Sequence, residues 1–255
     1  MVRCTIIDTH CHLEQPEFEE DREEVIERAA SMRIHLICSA ISEDTWDTCL
    51  QLSRDYDTIY ASIGLDPMLV NYYSSALKKI REHSKEIVSI GEVGLDYFRE
   101  RDHTLRELQE SAFKEFIVLS NELKLPIQVH SRSAGKRALE VLEENNAFAV
   151  HMHAFDGKAS YARSASRDHD YYFSIPTSVV RSPQKQKLVK AVAIERLLLE
   201  TDSPVLGSEK GMRNEPANIG IALTEVASIL HREEEELGEI ILENTLRLYT
   251  RIRAH

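Results

Sequence analysis

Two pairs of histidines, each separated by one residue, are the first features of this sequence that suggest chemistry. The pairs are His10 with His12 and His151 with His153, and each pair follows a short apolar run. Side chains two residues apart lie on the same face of a β-strand, so each pair would present two imidazoles together. Neutral imidazoles bind divalent transition metals. Because a chain with 11 histidines contains roughly half of one such pair by chance, ordinary packing is the competing interpretation of either pair alone.

Further polar residues stand at or just beyond the ends of other apolar, strand-like runs. The full set contains only histidines and carboxylates, namely Asp8, His10, His12, Glu92, His130, His153 and Asp202. If the runs are parallel strands of one barrel, their ends lie on one face and form a mixed nitrogen and oxygen ligand set. Two ions about 3.5–4 Å apart can hold a phosphate ester and generate hydroxide at neutral pH. In the competing interpretation these polar residues only pair with one another. That arrangement would bury many ionisable groups at a high cost in free energy.

The elements that would position these residues alternate between strand-like and helical patterns. Eight runs are interpreted as strands: Cys4–Thr9, His35–Ala40, Ile59–Gly64, Ile87–Gly94, Pro126–His130, Ala149–His153, Tyr171–Ile175 and Arg196–Thr201. Apolar residues have helical spacing over 17–32, 102–124 and 219–230. The alternation predicts an α/β fold, a (β/α)8 TIM barrel, as a single domain over 1–255. An open doubly wound sheet is the alternative, but no Gly-x-Gly-x-x-Gly or P-loop motif follows any strand.

The formal charge is strongly negative but unevenly distributed. The chain has 31 basic and 43 acidic residues, a net charge of −12 at pH 7. Residues 14–28 and 232–239 contain most of the excess and have the character of solvated helix faces. The remainder is close to neutral, so the charge neither implies nor excludes an anionic substrate.

Composition and the first residues predict an ordinary globular protein of the cytoplasm. Apolar residues make up 42% and charged residues 29% of the chain, and no apolar run approaches the ~18 residues of a membrane span. No apolar secretion segment stands near Met1, so we expect a cytoplasmic location. The cysteines form no Cys-x-x-Cys pair and are expected to be reduced and buried: Cys4, Cys11, Cys38 and Cys49.

Six blocks of sequence occur in a distinctive order. They are Ile7–Leu13, Gly91–Tyr97, Pro126–Arg132, His153–Gly157, Glu200–Pro204 and Arg213–Asn218. Together they resemble the successive signatures of the TatD family, metal-dependent hydrolases known mainly as deoxyribonucleases, and Asn244–Tyr249 resembles the last helix of that family. The resemblance implies a (β/α)8 barrel of the metal-dependent hydrolase type.

The resemblance also implies two divalent ions, which could be Mg²⁺, Mn²⁺ or Zn²⁺. His10, His12 and Asp202 would hold one ion. His130 and His153 would hold the other, and Glu92 would bridge both. Glu92 and Asp202 would be the catalytic carboxylates, and Asp202 would orient and deprotonate the water that attacks phosphorus. The family pattern favours His153 over His151, because the ligand directly precedes the turn over 154–157. His151 stays an alternative, as a ligand or as a group that supports one.

Two arginines near the ends of strands are candidates for binding a substrate phosphate. Arg132 follows the fifth predicted strand, and Arg213 lies in the loop after the eighth, a common phosphate-binding region of this barrel. A salt bridge or a hydrogen bond that orders the loop is the competing interpretation of each arginine. We expect Asp8 and Asp96 to order histidines or loop backbone rather than to bind metal.

The sequence departs from the family pattern at Asp66, in the segment Gly64–Pro67, where relatives have Gly-x-His-Pro. If that histidine contacts phosphate, Asp66 brings an anion to a substrate-binding position and repels phosphate unless a metal or an arginine neutralises it. The segment after Pro204 also lacks the usual aromatic residue and an extra arginine. Both departures concern the substrate and not the metal site.

These observations favour a metal-dependent deoxyribonuclease that acts by exonucleolytic cleavage on single-stranded DNA or DNA ends, without a membrane or an obligate protein partner. The alternative is hydrolysis of another ester or amide bond, for example deacylation of aminoacyl-tRNA at the same site. Barrel amidohydrolases often bridge their metals through a modified lysine, and the fourth strand offers Glu92 instead. A binding protein without activity would show a broken ligand set, whereas all six positions are filled here.

Overall fold

The computed structural model describes residues 5–253, and their main feature is one parallel sheet of eight strands in chain order. The strands are β1 (Ile6–Cys11), β2 (Ile34–Ala40), β3 (Ile59–Ile63), β4 (Ile87–Asp96), β5 (Ile127–Arg132), β6 (Val150–Met152), β7 (Tyr172–Pro176) and β8 (Leu197–Glu200). The sheet curves back on itself, because the Asp202 amide donates to the His10 carbonyl over 2.9 Å and the Thr9 hydroxyl donates to the Leu199 carbonyl over 2.8 Å. The predicted (β/α)8 TIM barrel is confirmed.

Helices follow each strand on the outside of this barrel. Their bounds are α1 (Arg22–Ser31), α2 (Glu43–Asp55), α3 (Tyr73–Glu82), α4 (His103–Leu123), α5 (Gly135–Glu144), α6 (Ala159–Asp168), α7 (Pro183–Val189), α8 (Ile219–Leu230) and α9 (Glu234–Leu248). The longest helix, α4, begins where the Asp102 side chain accepts from the Leu105 amide and ends at Lys124, which has a left-handed φ of 54°. None of the helices described has an apolar segment long enough to cross a bilayer.

Element boundaries differ modestly from those predicted. β1 continues to Cys11, so His10 lies within the strand, while Cys4 falls outside the described residues. The helix expected over 17–32 is divided into a 3-10 turn at Pro16–Phe18 and the helix α1, although Phe18 is buried as its apolar spacing suggested. Proline suits the first position of such a turn because it has no amide hydrogen to satisfy.

The core has two parts. One lies between the sheet and the helices, and a smaller one fills the barrel at the amino-terminal ends of its strands. Every residue of β4 is buried, as expected for a parallel strand that is covered on both faces. The smaller part contains Ile7, Ile37 and Leu198 from three strands, packed with Tyr249 just after α9. The residue that follows the C-terminal helix therefore fills the amino-terminal end of the barrel with an aromatic side chain.

Two glycines allow β4 to approach β5 closely enough to bring polar side chains together. Gly91 and Gly94 have φ values of +148° and +141°, which side chains of L-residues rarely allow. A Cβ atom at Gly94 would lie 2.2 Å from the His130 carbonyl oxygen, and one at Gly91 would lie 2.5 Å from Gln128 Cβ. The glycines thus position Glu92, between them, against His130.

Candidate metal centre

Six polar side chains from five strands meet at the carboxyl end of the barrel. β1, β4 and β5 each contain one of them, and the residues just after β1, β6 and β8 supply the other three: His10, Glu92 and His130 within strands, and His12, His153 and Asp202 after them. All but His130 are buried. The structure therefore brings together every residue that the sequence assigned to the metal site, and their role as ligands stays a prediction.

Glu92 lies at the centre of this cluster, and its two carboxylate oxygens face different histidines. Its Oε2 atom is 2.7 Å from His10 Nε2, 3.5 Å from His12 Nε2 and 3.6 Å from His153 Nε2. Its Oε1 atom is 2.9 Å from His130 Nδ1. A carboxylate in this position can contact two cations at once, one through each oxygen.

Asp202 completes the cluster opposite Glu92. Its Oδ1 atom is 3.4 Å from His12 Nε2, 3.7 Å from His10 Nε2 and 3.9 Å from His153 Nε2. One ligand atom each of His10, Glu92, His153 and Asp202 can be chosen so that all four lie within 4.8 Å of one another. The backbone bond from Asp202 to the His10 carbonyl keeps β8 and β1 in register at this point.

An oxygen acceptor holds the outer ring nitrogen of each of the four imidazoles. The pairs are His10 Nδ1 with Gln128 Oε1 (2.9 Å), His12 Nδ1 with the Ser39 carbonyl (2.8 Å), His153 Nδ1 with Glu200 Oε2 (2.9 Å) and His130 Nε2 with Asp96 Oδ2 (3.2 Å). A neutral ring in such a pair carries its proton on the outer nitrogen, and its lone pair points inward. This arrangement is typical of histidines that bind metal.

The donor set fits a divalent cation. Glu92 Oε2 is buried and has no hydrogen-bond partner, and imidazole nitrogens face it, so a cation or protons on those nitrogens must balance its charge. Metal–ligand distances of about 2.0–2.2 Å place neighbouring ligand atoms about 3.0–3.5 Å apart. The separations of 3.2 Å between His10 and His12 Nε2 and 3.4 Å between His12 and Asp202 fall in that range.

Without a cation, protons compensate the negative charge of the cluster. Burial disfavours charged imidazoles, but the carboxylates of Glu92 and Asp96 outweigh it and raise the pKa of His130 to about 10. Asp202 and neighbouring carboxylates likewise raise the pKa of His12 and, with Glu200, that of His153. The facing imidazoles hold the pKa of Glu92 well below its usual range despite its burial. A divalent ion would take the place of these protons.

Three polar residues near the cluster are committed to other partners. Asp8 accepts hydrogen bonds from the amide and the hydroxyl of Thr201, which joins β1 to the end of β8. Asp96 accepts from Arg99 as well as facing His130. Both ring nitrogens of His151 are occupied, and burial lowers the pKa of this residue to about 3. His151 is therefore neutral and lies outside the group of facing ligand atoms.

The candidate substrate-binding residues lie around the mouth of the barrel and differ in whether a carboxylate already pairs with them. Arg132 is exposed, and its guanidinium lies 4.0 Å from the centre of the Phe98 ring, which is 49% exposed. Asp66 pairs with Arg99 through two contacts of 2.7 and 2.9 Å, so an arginine neutralises this departure from the family pattern.

The third candidate, Arg213, is already engaged with an acidic residue. It pairs with Asp21 and donates to the Glu17 carbonyl, and its guanidinium lies over the Phe18 ring. A phosphate would have to displace Asp21 to reach this guanidinium. Its predicted role therefore depends on opening an existing ion pair.

Sequence reasoning missed the residues that hold the outer nitrogens. Gln128 and Glu200 each lie two positions before a predicted ligand, His130 and Asp202 respectively, so strand periodicity could have placed both inside the barrel. Ser39 acts on His12 through its backbone carbonyl, and no side-chain pattern could reveal that contact.

Comparison with known proteins places the chain among metal-dependent hydrolases. The model of the family described as TatD related DNase matches residues 7–250. Human "Deoxyribonuclease TATDN3" is 36% identical over 263 residues, which cover 97% of this chain and 96% of the human protein. "Uncharacterized metal-dependent hydrolase YabD" of Bacillus subtilis is 33% identical over 254 residues, covering 96% and 98%. The crystal structure of YjjV, a TatD homologue from Escherichia coli, superimposes with a TM-score of 0.88 at 25% identity, covering 97% and 98%.

Proposed function

Because the chain belongs to the TatD related DNase family, we propose that it is a divalent-metal-dependent deoxyribonuclease that removes nucleotides from single-stranded DNA or DNA ends. The observation that carries the proposal is the ring of inward-facing imidazole nitrogens around Glu92, whose Oε2 atom has no hydrogen-bond partner. The name of the human relative supports DNA as the substrate, and that of the Bacillus relative supports metal dependence.

We assign two ions to the cluster, with Glu92 as the ligand that they share. His10, His12 and Asp202 would hold one ion, and His130 and His153 would hold the other. The separation of His130, at Glu92 Oε1, from His10 and His12, at Oε2, supports this division. The assignment of His153 rests on the family pattern, because its Nε2 atom lies on the Oε2 side. Nitrogen and carboxylate ligands suit Zn²⁺ or Mn²⁺, whereas Mg²⁺ would take further oxygens from water and substrate.

The bound ions would supply Lewis acidity, which lowers the pKa of water and offsets the charge of the phosphoryl oxygens. Asp202 would accept the proton of the attacking water, because its carboxylate faces the cluster from the strand end and is not engaged by any arginine or lysine among residues 5–253. The new bond forms between the water oxygen and phosphorus. The bond between phosphorus and the leaving sugar oxygen breaks, and that oxygen takes a proton from solvent.

Arg132 is the exposed cation that we propose binds the scissile end. It lies two residues beyond His130 on β5, and none of the described carboxylates pairs with it. The adjacent Phe98 ring could stack with a terminal base. We retain Arg213 as a second phosphate contact, reached when Asp21 is displaced. Asp66, paired with Arg99, would line the same mouth of the barrel. Because only Arg132 and Arg213 are assigned to phosphate, we propose a short or end-bound strand as substrate rather than a long duplex.

The test is hydrolysis of a 5′-labelled single-stranded DNA oligomer by metal-stripped protein to which Mg²⁺, Mn²⁺ or Zn²⁺ is added. We expect a ladder of shortened products from the wild type and none from a Glu92→Ala variant purified identically, which controls for contaminating nucleases. A folded protein that binds ions but cleaves no DNA with any metal would overturn the proposal. Hydrolysis of an aminoacyl-tRNA ester would then be measured as the alternative.

A further inference from the structure

A continuous series of hydrogen bonds runs beneath the metal cluster and passes through His151. Tyr249 Oη lies 2.6 Å from His151 Nδ1, and Ser174 Oγ lies 2.7 Å from His151 Nε2. On one side, Tyr249 is 3.0 Å from Gln128 Nε2, and the Gln128 side chain contacts His10. Every member of the series is buried.

The other side of the series ends at the second ligand histidine. Ser174 Oγ lies 2.6 Å from Glu200 Oε2, which is also the partner of His153 Nδ1. Glu200 Oε1 accepts from the Ala154 amide, next to His153 in the chain. The hydrogen bonds therefore join His10 to His153 by a path inside the barrel that does not pass through the cluster itself.

The direction of each hydrogen bond follows from one backbone carbonyl. Gln128 Nε2 lies 3.1 Å from the Thr9 carbonyl oxygen, which can only accept, so the amide nitrogen must face it. Gln128 Oε1 consequently accepts from His10 Nδ1 and from the Ser39 hydroxyl. The second hydrogen on Gln128 Nε2 points to Tyr249, whose hydroxyl accepts it.

The remaining directions are then determined in turn. The Tyr249 hydroxyl accepts from Gln128 and donates its own proton to His151 Nδ1. A neutral His151 carries its proton on Nε2 and donates it to Ser174 Oγ. The Ser174 hydroxyl donates to Glu200 Oε2, which also accepts from His153 Nδ1. Each hydrogen bond in the series has one donor and one acceptor, and both ligand histidines carry their proton on Nδ1.

We propose that Tyr249, His151 and Ser174 are positioning residues that hold the Gln128 and Glu200 side chains in place, so that His10 and His153 keep the Nδ1–H form with Nε2 bare toward the metals. The proposal rests on the metal site proposed above but not on the identity of the substrate. Loss of the Tyr249 hydroxyl would leave His151 Nδ1 without a donor. His151 could then carry its proton on Nδ1 and accept from Ser174, which would withdraw the Ser174 hydroxyl from Glu200.

The experiment compares wild type with Tyr249→Phe, both loaded with Zn²⁺, by nitrogen-15 NMR of the histidine rings. We expect His151, identified by its loss in His151→Asn, to be protonated on Nε2 in wild type and at least partly on Nδ1 in Tyr249→Phe. Competition with a chelator should show Zn²⁺ affinity reduced by about three- to tenfold, near the lower end for partners of metal ligands. The matched control is Tyr60→Phe, which removes a hydroxyl that donates to the Arg253 carbonyl outside the series.

An unchanged His151 tautomer together with unchanged Zn²⁺ affinity in Tyr249→Phe would overturn the proposal. Ser174→Ala provides a second break in the same series, and it serves as the test if Tyr249→Phe does not fold. The double variant should lower Zn²⁺ affinity by less than the product of the two single fold-changes. A reduction equal to that product would contradict a single connected series of hydrogen bonds. Failure of the wild type to bind Zn²⁺ would instead refute the metal site itself.

Discussion

The Asp66 carboxylate lies three residues beyond the carboxyl end of β3, at the end of the barrel where we propose that DNA binds. Arg99 contacts both Asp66 and Asp96, and Asp96 in turn faces His130. One guanidinium thus pairs with an anion at the mouth of the barrel and holds Asp96, the partner of the proposed ligand His130. This pairing explains how the chain can carry aspartate at Asp66 and still admit an anionic substrate.

Replacing Asp66 with asparagine should strengthen substrate binding. Asparagine retains the side-chain oxygen that accepts from the Met68 amide, while the group formed by Asp66, Arg99 and Asp96 loses one negative charge. We expect KM for a single-stranded oligomer to fall about three- to tenfold at low salt, with kcat little changed and the difference shrinking at high salt. Steady-state kinetics at two ionic strengths measure this effect, and a higher KM at low salt would show that the aspartate itself assists binding.

The buried side chain of Lys185 should make the free energy of unfolding depend on pH. This lysine is buried and donates to the Ala154 and Phe155 carbonyls, over 2.7 and 2.9 Å. Burial lowers its pKa to about 8, although Glu200, Asp156 and Asp202 favour its charge. Between about pH 8 and 10.5 the unfolded chain binds the proton more tightly than the native chain, so this group makes stability rise with pH.

The difference in free energy of unfolding between wild type and Lys185→Met isolates this group. We expect metal-stripped wild type to gain up to about 3 kcal/mol relative to the variant between pH 7 and 10. Urea unfolding at the two pH values measures the difference, and other titrating groups cancel between the two proteins. A difference that is constant with pH would mean that Lys185 titrates normally.

At the scale of elements, the approach of β4 to β5 decides whether Glu92 meets His130. A methyl group at Gly94 has no space, because the His130 carbonyl oxygen would lie 2.2 Å away and the φ of +141° is unfavourable for alanine. Gly94→Ala should therefore lower the free energy of unfolding by about 3 kcal/mol or more. Chemical denaturation measures the loss.

Gly220→Ala is the control for this substitution. Gly220 lies in α8, and a Cβ there would meet nothing within 4 Å. Alanine should stabilise this helix by about 0.5–1 kcal/mol. Equal effects of the two substitutions would show that the close strand approach carries no particular cost.

Strand ends were predictable from sequence because a parallel barrel places all of them on one face. Polar residues that follow apolar runs, such as Glu92 in β4 and Asp202 after β8, could therefore be grouped from the sequence alone. The pairing of Arg213 with Asp21 could not, because the two residues are 192 positions apart and their contact depends on how two loops lie. Ring orientation, as at His130, also depends on three-dimensional neighbours such as Asp96.

At the scale of the whole molecule, a net charge of −12 offers the proposed DNA substrate no overall electrostatic attraction. Apart from the proposed ions, Arg132 and Arg213 are the cations that we assign to phosphate, so we expect about one or two phosphate contacts. The logarithm of KM should then change with that of salt concentration with a slope of magnitude about 1, because each contact to single-stranded DNA contributes about 0.7.

The dependence of rate on substrate length provides an independent check that the protein contacts only one or two phosphates. Oligomers of different length, compared at equal concentration of ends, should have similar kcat/KM if only the end of the strand is bound. Rates that grow in proportion to length, or a salt slope several times steeper, would reveal an extended binding surface that the charge distribution does not suggest.

The most direct test of the central claim is a Mn²⁺ titration of metal-stripped protein in which bound ions and DNA cleavage rate are measured on the same samples. The account predicts that two ions bind per chain and that cleavage requires both. It also predicts that His130→Ala loses one ion together with the activity. Full cleavage with one ion or none bound, or two bound ions in a Glu92→Ala variant at wild-type affinity, would contradict a shared metal centre built around Glu92.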